Sequence, residues 1–119
     1  MSNLSDKNCT ACQAGAPLLS DADIKAALAE LPEWTVEVAE RVNQLARTYR
    51  FKNFVQALAF TQAVGELAEE HSHHPALLTE WGRVKVSWWT HKIKGLHEND
   101  AIMAAKTEQL FNARFAALA

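Results

Sequence analysis

The stretch EEHSHHPALLTEWGRVKVSWWTH, residues 69–91, decides how the chain folds. Proline lacks an amide hydrogen and holds the residue before it in extended geometry, so Pro75 ends a helical pattern that runs up to Ser72. His73 and His74 are thereby expected at a helix-to-strand corner. Beyond Gly82 the chain alternates: Val84, Val86 and Trp88 point one way, and Arg83, Lys85, Ser87, Trp89 and His91 the other. If this strand pairs back on Leu77 to Trp81 around Gly82, the open end of the hairpin brings His91 beside His73 and His74.

Working upstream, Asn53 with Gln56 three residues later reads as a helix start. Phe54, Ala57, Leu58, Thr61, Val64, Leu67 and Ala68 then form its expected apolar stripe. Before it, Trp34 to Val38 and Leu45 to Phe51 alternate as strands joined near Glu40 to Asn43, which predicts an antiparallel hairpin. Arg47 falls on the same face as Leu45, Tyr49 and Phe51 and breaks the pattern there. A first helix is capped by Ser20-Asp21-Ala22-Asp23, carries Ile24, Ala27, Leu28 and Leu31, and stops at Pro32. Downstream, Gly95-Leu96-His97-Glu98 turns into a last helix with Ile102, Met103, Leu110, Phe111 and Phe115. The order α-β-β-α-β-β-α predicts an α+β fold, an antiparallel sheet covered by helices on one face.

The chain has 119 residues and a formal net charge of −2. That length suits one core, and we expect a single domain over 19–119 behind a flexible tail, 1–18. Basic residues are scattered, without the stripe that nucleic-acid backbones require. No apolar run approaches the ~20 residues of a membrane span, and no secretion signal opens the chain. A cytoplasmic protein with neither nucleic acid nor membrane as partner is expected. Cys9 and Cys12 form one CxxC in the polar segment Ser2 to Pro17. Three readings stand for it: solvated thiols, a metal site that borrows a histidine, or a redox pair.

Four of the five histidines lie within residues 69–91. Histidine is the one side chain that ordinarily changes charge near neutrality. Each alone can be a helix-end or solvated residue. Together at one corner, His73, His74 and His91 offer imidazoles for acid and base roles. A metal site is the rival reading, opposed by the divergent directions of adjacent residues in extended chain and by the lack of a helical HExxH pair.

Glu69-x-x-x-His73-His74-Pro75, Trp81, Thr90-His91, Gly95-Leu96 and Asp100 resemble the signature of the pterin-4a-carbinolamine dehydratases, over about Ile24 to Phe115. His97 stands where members more often carry Ser or Thr, which predicts a weaker cap on the last helix. The resemblance implies a four-stranded antiparallel sheet with helices on one side, and assembly as a homodimer or homotetramer. It also implies dehydration of 4a-hydroxytetrahydrobiopterin to quinonoid dihydropterin, with His73, His74 and His91 catalytic and neither cofactor nor metal. Glu69, Trp81, Trp89 and Asp100 are the expected substrate-binding set. Asp100 doubles as a first-turn carboxylate suited to the helix dipole. Trp88 is core by alternation, so Trp89 is the better stacking candidate. His74 is the expected acid, with His73 and His91 in positioning and base roles, and phenylalanine hydroxylase is the expected companion. Cys9 and Cys12 receive no catalytic role from it. The alternative is a non-catalytic dimerisation or coactivator module, as animal members also serve a transcription factor.

Overall fold

The computed structural model describes residues 18–39, 41–91 and 93–116. Helix α1 spans Asp21–Glu30, strands β1 and β2 Thr35–Ala39 and Val42–Arg50, and helix α2 Phe54–His71. Strands β3 and β4 follow at Ala76–Glu80 and Arg83–Trp88, and helix α3 closes the order at Glu98–Arg114. Two helix starts are the ones read from the sequence. Ser20 Oγ accepts the Asp23 N–H at 3.1 Å, and Asn53 Oδ1 accepts the Gln56 N–H at 2.9 Å. Each side chain thus supplies a partner to an amide that the first helical turn leaves unbonded. The anticipated tail up to residue 17, with Cys9 and Cys12, lies outside the described residues.

The strands form one antiparallel sheet in the order β1-β2-β4-β3. Leu45 lies opposite Trp88, Arg47 opposite Val86 and Tyr49 opposite Val84, and Val86 in turn lies opposite Leu77. Because side chains alternate, these residues share the face that the helices cover. Val84, Val86, Trp88, Leu45 and Tyr49 are buried there with Ala57, Phe60 and Val64 of α2 and Ile102, Met103 and Phe111 of α3. This is the α+β arrangement the sequence predicts. At the β3–β4 turn Gly82 has φ +75°, and an added Cβ would sit 3.2 Å from the Phe51 carbonyl oxygen. Glycine meets both demands without strain.

Three details depart from the sequence reading or complete it. The buried stripe of α2 is rotated toward Phe60 and Ala63, which leaves Phe54 and Leu58 exposed. Phe60 is drawn inward by an aromatic cluster, with ring centroids 4.7 Å from Tyr49, 5.3 Å from Phe51 and 5.1 Å from Phe115. β4 ends at Trp88 rather than His91: Ala76 pairs with Ser87, so Pro75, which has no N–H to give, falls opposite Trp88. Arg47, the misfit on an apolar face, ion-pairs with Glu108 of α3, and its guanidinium lies 4.2 Å from the Tyr49 ring centroid. The same Glu108 oxygen accepts from the Tyr49 hydroxyl and, at 2.9 Å, from Trp34 Nε1. A half-buried charge with such partners is tolerated beneath the sheet.

Candidate active site

The corner forms because α2 ends abruptly. Ser72 takes the left-handed conformation, φ 52°, ψ 37°, and the amides of Ser72 and His73 return to the Ala68 carbonyl. That turn sends His73 under the sheet and leaves His74 outside. His73 is buried, its ring lying flat on Trp88 at 5.8 Å between centroids and 6° between planes. Its Nε2 is 2.6 Å from Oδ1 of Asp100.

Asp100 is fully buried in the first turn of α3. Its Oδ2 accepts from the Thr90 hydroxyl at 2.8 Å and from the His97 N–H at 2.9 Å. A carboxylate only accepts, so the proton between Asp100 and His73 is carried by Nε2 and donated to Oδ1. In the neutral form of the ring, Nδ1 is then the acceptor. Among the described residues no buried side-chain nitrogen or oxygen lacks a partner. Among the described residues Nδ1 of His73 has no hydrogen-bond partner, and the residue as a whole is 8% exposed.

For His97 the sequence predicts a weaker cap on α3 than Ser or Thr would give. It does cap α3: its Nδ1 accepts the Asn99 N–H at 3.1 Å, while Asp100 reaches back to the His97 amide in a complete capping box. An imidazole nitrogen has replaced the usual hydroxyl oxygen in the same role.

The other expected residues fall in two groups. His74 and Glu69 meet at the surface, Nε2 to Oε2 3.1 Å. His91 is exposed and rests on the half-buried Trp89, ring centroids 4.4 Å apart. Because Ala76 pairs with Ser87, the segments Pro75 to His73 and Trp88 to Thr90 run on past the sheet side by side. His73 and Thr90 confirm this by sharing one carboxylate. Trp81 is not brought to this corner within the chain. It lies 72% exposed in the β3–β4 turn, at the other end of a five-residue strand, roughly 16 Å away. Thr90 was missed as a site residue. Its signal was its parity with Val84, Val86 and Trp88, which puts a hydroxyl on the covered face. Among the described residues no group of three or more His, Cys, Asp or Glu is arranged to hold a metal ion.

An open antiparallel sheet under three helices thus carries a carboxylate-anchored histidine at one corner. The chain belongs to the pterin 4 alpha carbinolamine dehydratase family, whose pattern matches residues 17–110. It is 55% identical over 111 residues to a protein of Marinobacter nauticus named provisionally as a pterin-4-alpha-carbinolamine dehydratase, covering 93% of this chain and all of that one. Among solved structures it resembles a transcriptional coactivator/pterin dehydratase from Brucella melitensis, at 29% identity and a TM-score of 0.70, over 79% of this chain and 98% of that one. A pterin dehydratase-like protein identified as a RuBisCO assembly factor in the alpha-carboxysome aligns at 23% identity and a TM-score of 0.55, over 66% and 88% of the two chains. That last likeness is one of fold alone.

Proposed function

We propose that this protein dehydrates a 4a-hydroxytetrahydropterin to the quinonoid dihydropterin by histidine acid–base catalysis. The observation that carries the reading is the buried His73–Asp100 pair, set at the corner that also bears His74 and leads into His91. The reaction breaks the C4a–O bond. A proton must reach the departing hydroxyl and another must leave the ring nitrogen, while no hydride or electron moves. Groups that titrate near neutrality suit both transfers, and each contributes typically ~10²–10⁴-fold.

The environments of the histidines suggest a division of labour. His73, held by Asp100 with Nδ1 open, is suited to take the ring-nitrogen proton, much as a carboxylate orients the base of a hydrolytic triad. His74, exposed beside Glu69, is suited to give a proton to the hydroxyl. His91 and Trp89, their rings tilted 33° apart, offer an aromatic edge for the flat pterin. A companion phenylalanine hydroxylase would supply the substrate in the same compartment, taken as the cytoplasm. Exposed Val38, Val55, Leu58, Leu78 and Trp81, with unpaired edges at β1 and β3, support a homo-oligomer as the working form.

The test is a spectrophotometric assay of carbinolamine loss, with a synthetic 4a-hydroxytetrahydropterin and the full-length protein. Turnover above the spontaneous rate, lost in His73→Ala and His74→Ala, is expected. A folded protein without turnover would instead favour a binding module, a role for which the transcriptional coactivator/pterin dehydratase from Brucella melitensis is the precedent.

A further inference from the structure

We infer that Thr90 is a positioning residue for His73, acting through Asp100, and that it joins the two halves of the site. This deepens the acid–base reading above and rests on it. Thr90 is 2% exposed and sits just past the end of β4, on the face that the helices cover. Its hydroxyl donates to Asp100 Oδ2, and the other oxygen of that carboxylate receives the His73 Nε2–H. Trp88 fixes the plane of the His73 ring, and Asp100 fixes its direction within that plane.

The capping bond alone does not settle how Asp100 lies. His97 N–H reaches only Oδ2, so the cap by itself does not aim Oδ1. Thr90 supplies the second anchor on that oxygen, so Oδ1 is turned toward His73. With Oδ1 there, Nε2 must carry the proton and Nδ1 must be the acceptor. Without it, the buried ring has no accept-only partner to choose the tautomer.

The backbone of Thr90 does separate work. Its N–H donates to the Gly95 carbonyl at 2.8 Å and its carbonyl accepts the Gly95 N–H at 3.4 Å, closing the loop that carries His91. One residue thus holds the base through its side chain and the His91 loop through its main chain. Substituting the side chain leaves the second role in place, which makes the first one testable by itself.

The experiment compares wild-type protein, Thr90→Val and Thr90→Ser as full chains, reading kcat, KM, melting and the 15N shifts of the His73 imidazole. His73→Gln identifies the His73 signals. The wild type is expected to show a protonated Nε2 and a bare Nδ1. Valine keeps the shape and the backbone clasp but removes the donor. It should lower kcat by roughly 10–10²-fold with little change in KM, and mix the two tautomers. Serine restores the hydroxyl and should recover both. Thr90→Ala carries the same expectation as valine should valine not fold. Wild-type His73 protonated at Nδ1 overturns the inference outright, without any variant. So does a valine variant with full kcat and an unchanged tautomer. A wild type with no turnover defeats the dehydratase reading instead, and the imidazole spectra still decide the role of Thr90.

Discussion

Tyr49 is the chain's single tyrosine, and that makes its surroundings measurable. Burial, then the hydrogen bond to Glu108 and the charge of that carboxylate, push its hydroxyl far above the usual tyrosine range, outweighing the opposite pull of Arg47. The folded-state pKa is raised, so its contribution to stability is whole below about pH 10, the unfolded value, and falls as pH climbs past it. Tyrosinate absorbance near 295 nm should therefore stay flat as native protein passes pH 10, and rise only together with loss of far-ultraviolet dichroism. A native titration curve centred near pH 10 would contradict the burial of Tyr49 against Glu108. Tyr49→Phe should remove this source of alkaline destabilisation. None of that network was legible from the strand alone: alternation placed Arg47 on the covered face, but its partner lies 61 positions away. A misfit in a periodic pattern reports that a partner exists, while only packing names it.

Elements whose signals are local were the legible ones. Ser20 and Asn53 start their helices because a side-chain oxygen three residues before an orphan amide can bond it whatever the rest of the chain does. The α2 stripe was less legible. Phe54 and Leu58 are as apolar as Phe60, and the rings of Tyr49, Phe51, Phe111 and Phe115, gathered from other elements, decide which side turns inward. His97 belongs to the same lesson, since residue type alone predicts a weaker cap, and only the structure shows its imidazole accepting the Asn99 amide. Its worth can be measured. His97→Ala should cost about 0.5–2 kcal/mol of stability, while His97→Ser should be close to neutral because a hydroxyl serves equally at this position. Thermal or urea unfolding of both variants is the check, and equal losses in both would remove the imidazole from the cap. Because Asp100 also bonds the His97 main-chain amide, the alanine variant should keep the His73–Asp100 pair and most of its turnover.

At the scale of the whole molecule, the candidate site draws its residues from distant segments that converge on one corner. Among the described residues its N-terminal support comes from Leu18 and Leu19. The Leu19 amide donates to the Leu96 carbonyl at 2.8 Å, and Leu18 packs so closely on Gly95 that a Cβ there would meet it at 2.5 Å. Deleting residues 2–16, a stretch without periodic apolar residues, should leave melting and turnover within about twofold. Deleting 2–19 should loosen the loop bearing His91 and lower turnover further, and equal behaviour of the two truncations would deny that loop its support. The histidines test the convergence itself. His74 and His91 are both exposed, so replacing either with Ala should leave melting almost unchanged. If both act on one substrate, each single substitution should lower kcat by roughly 10–10⁴-fold. Residues that serve only the fold behave otherwise, shifting stability by ~1–3 kcal/mol and touching rate only through unfolding. The double variant carries the sharper expectation, because losses from groups acting as a unit do not multiply. It should be slower than the worse single variant by much less than the product of the two effects. Rates that multiply cleanly would mean that the two imidazoles act independently, and the corner would then be a meeting of surfaces rather than one site.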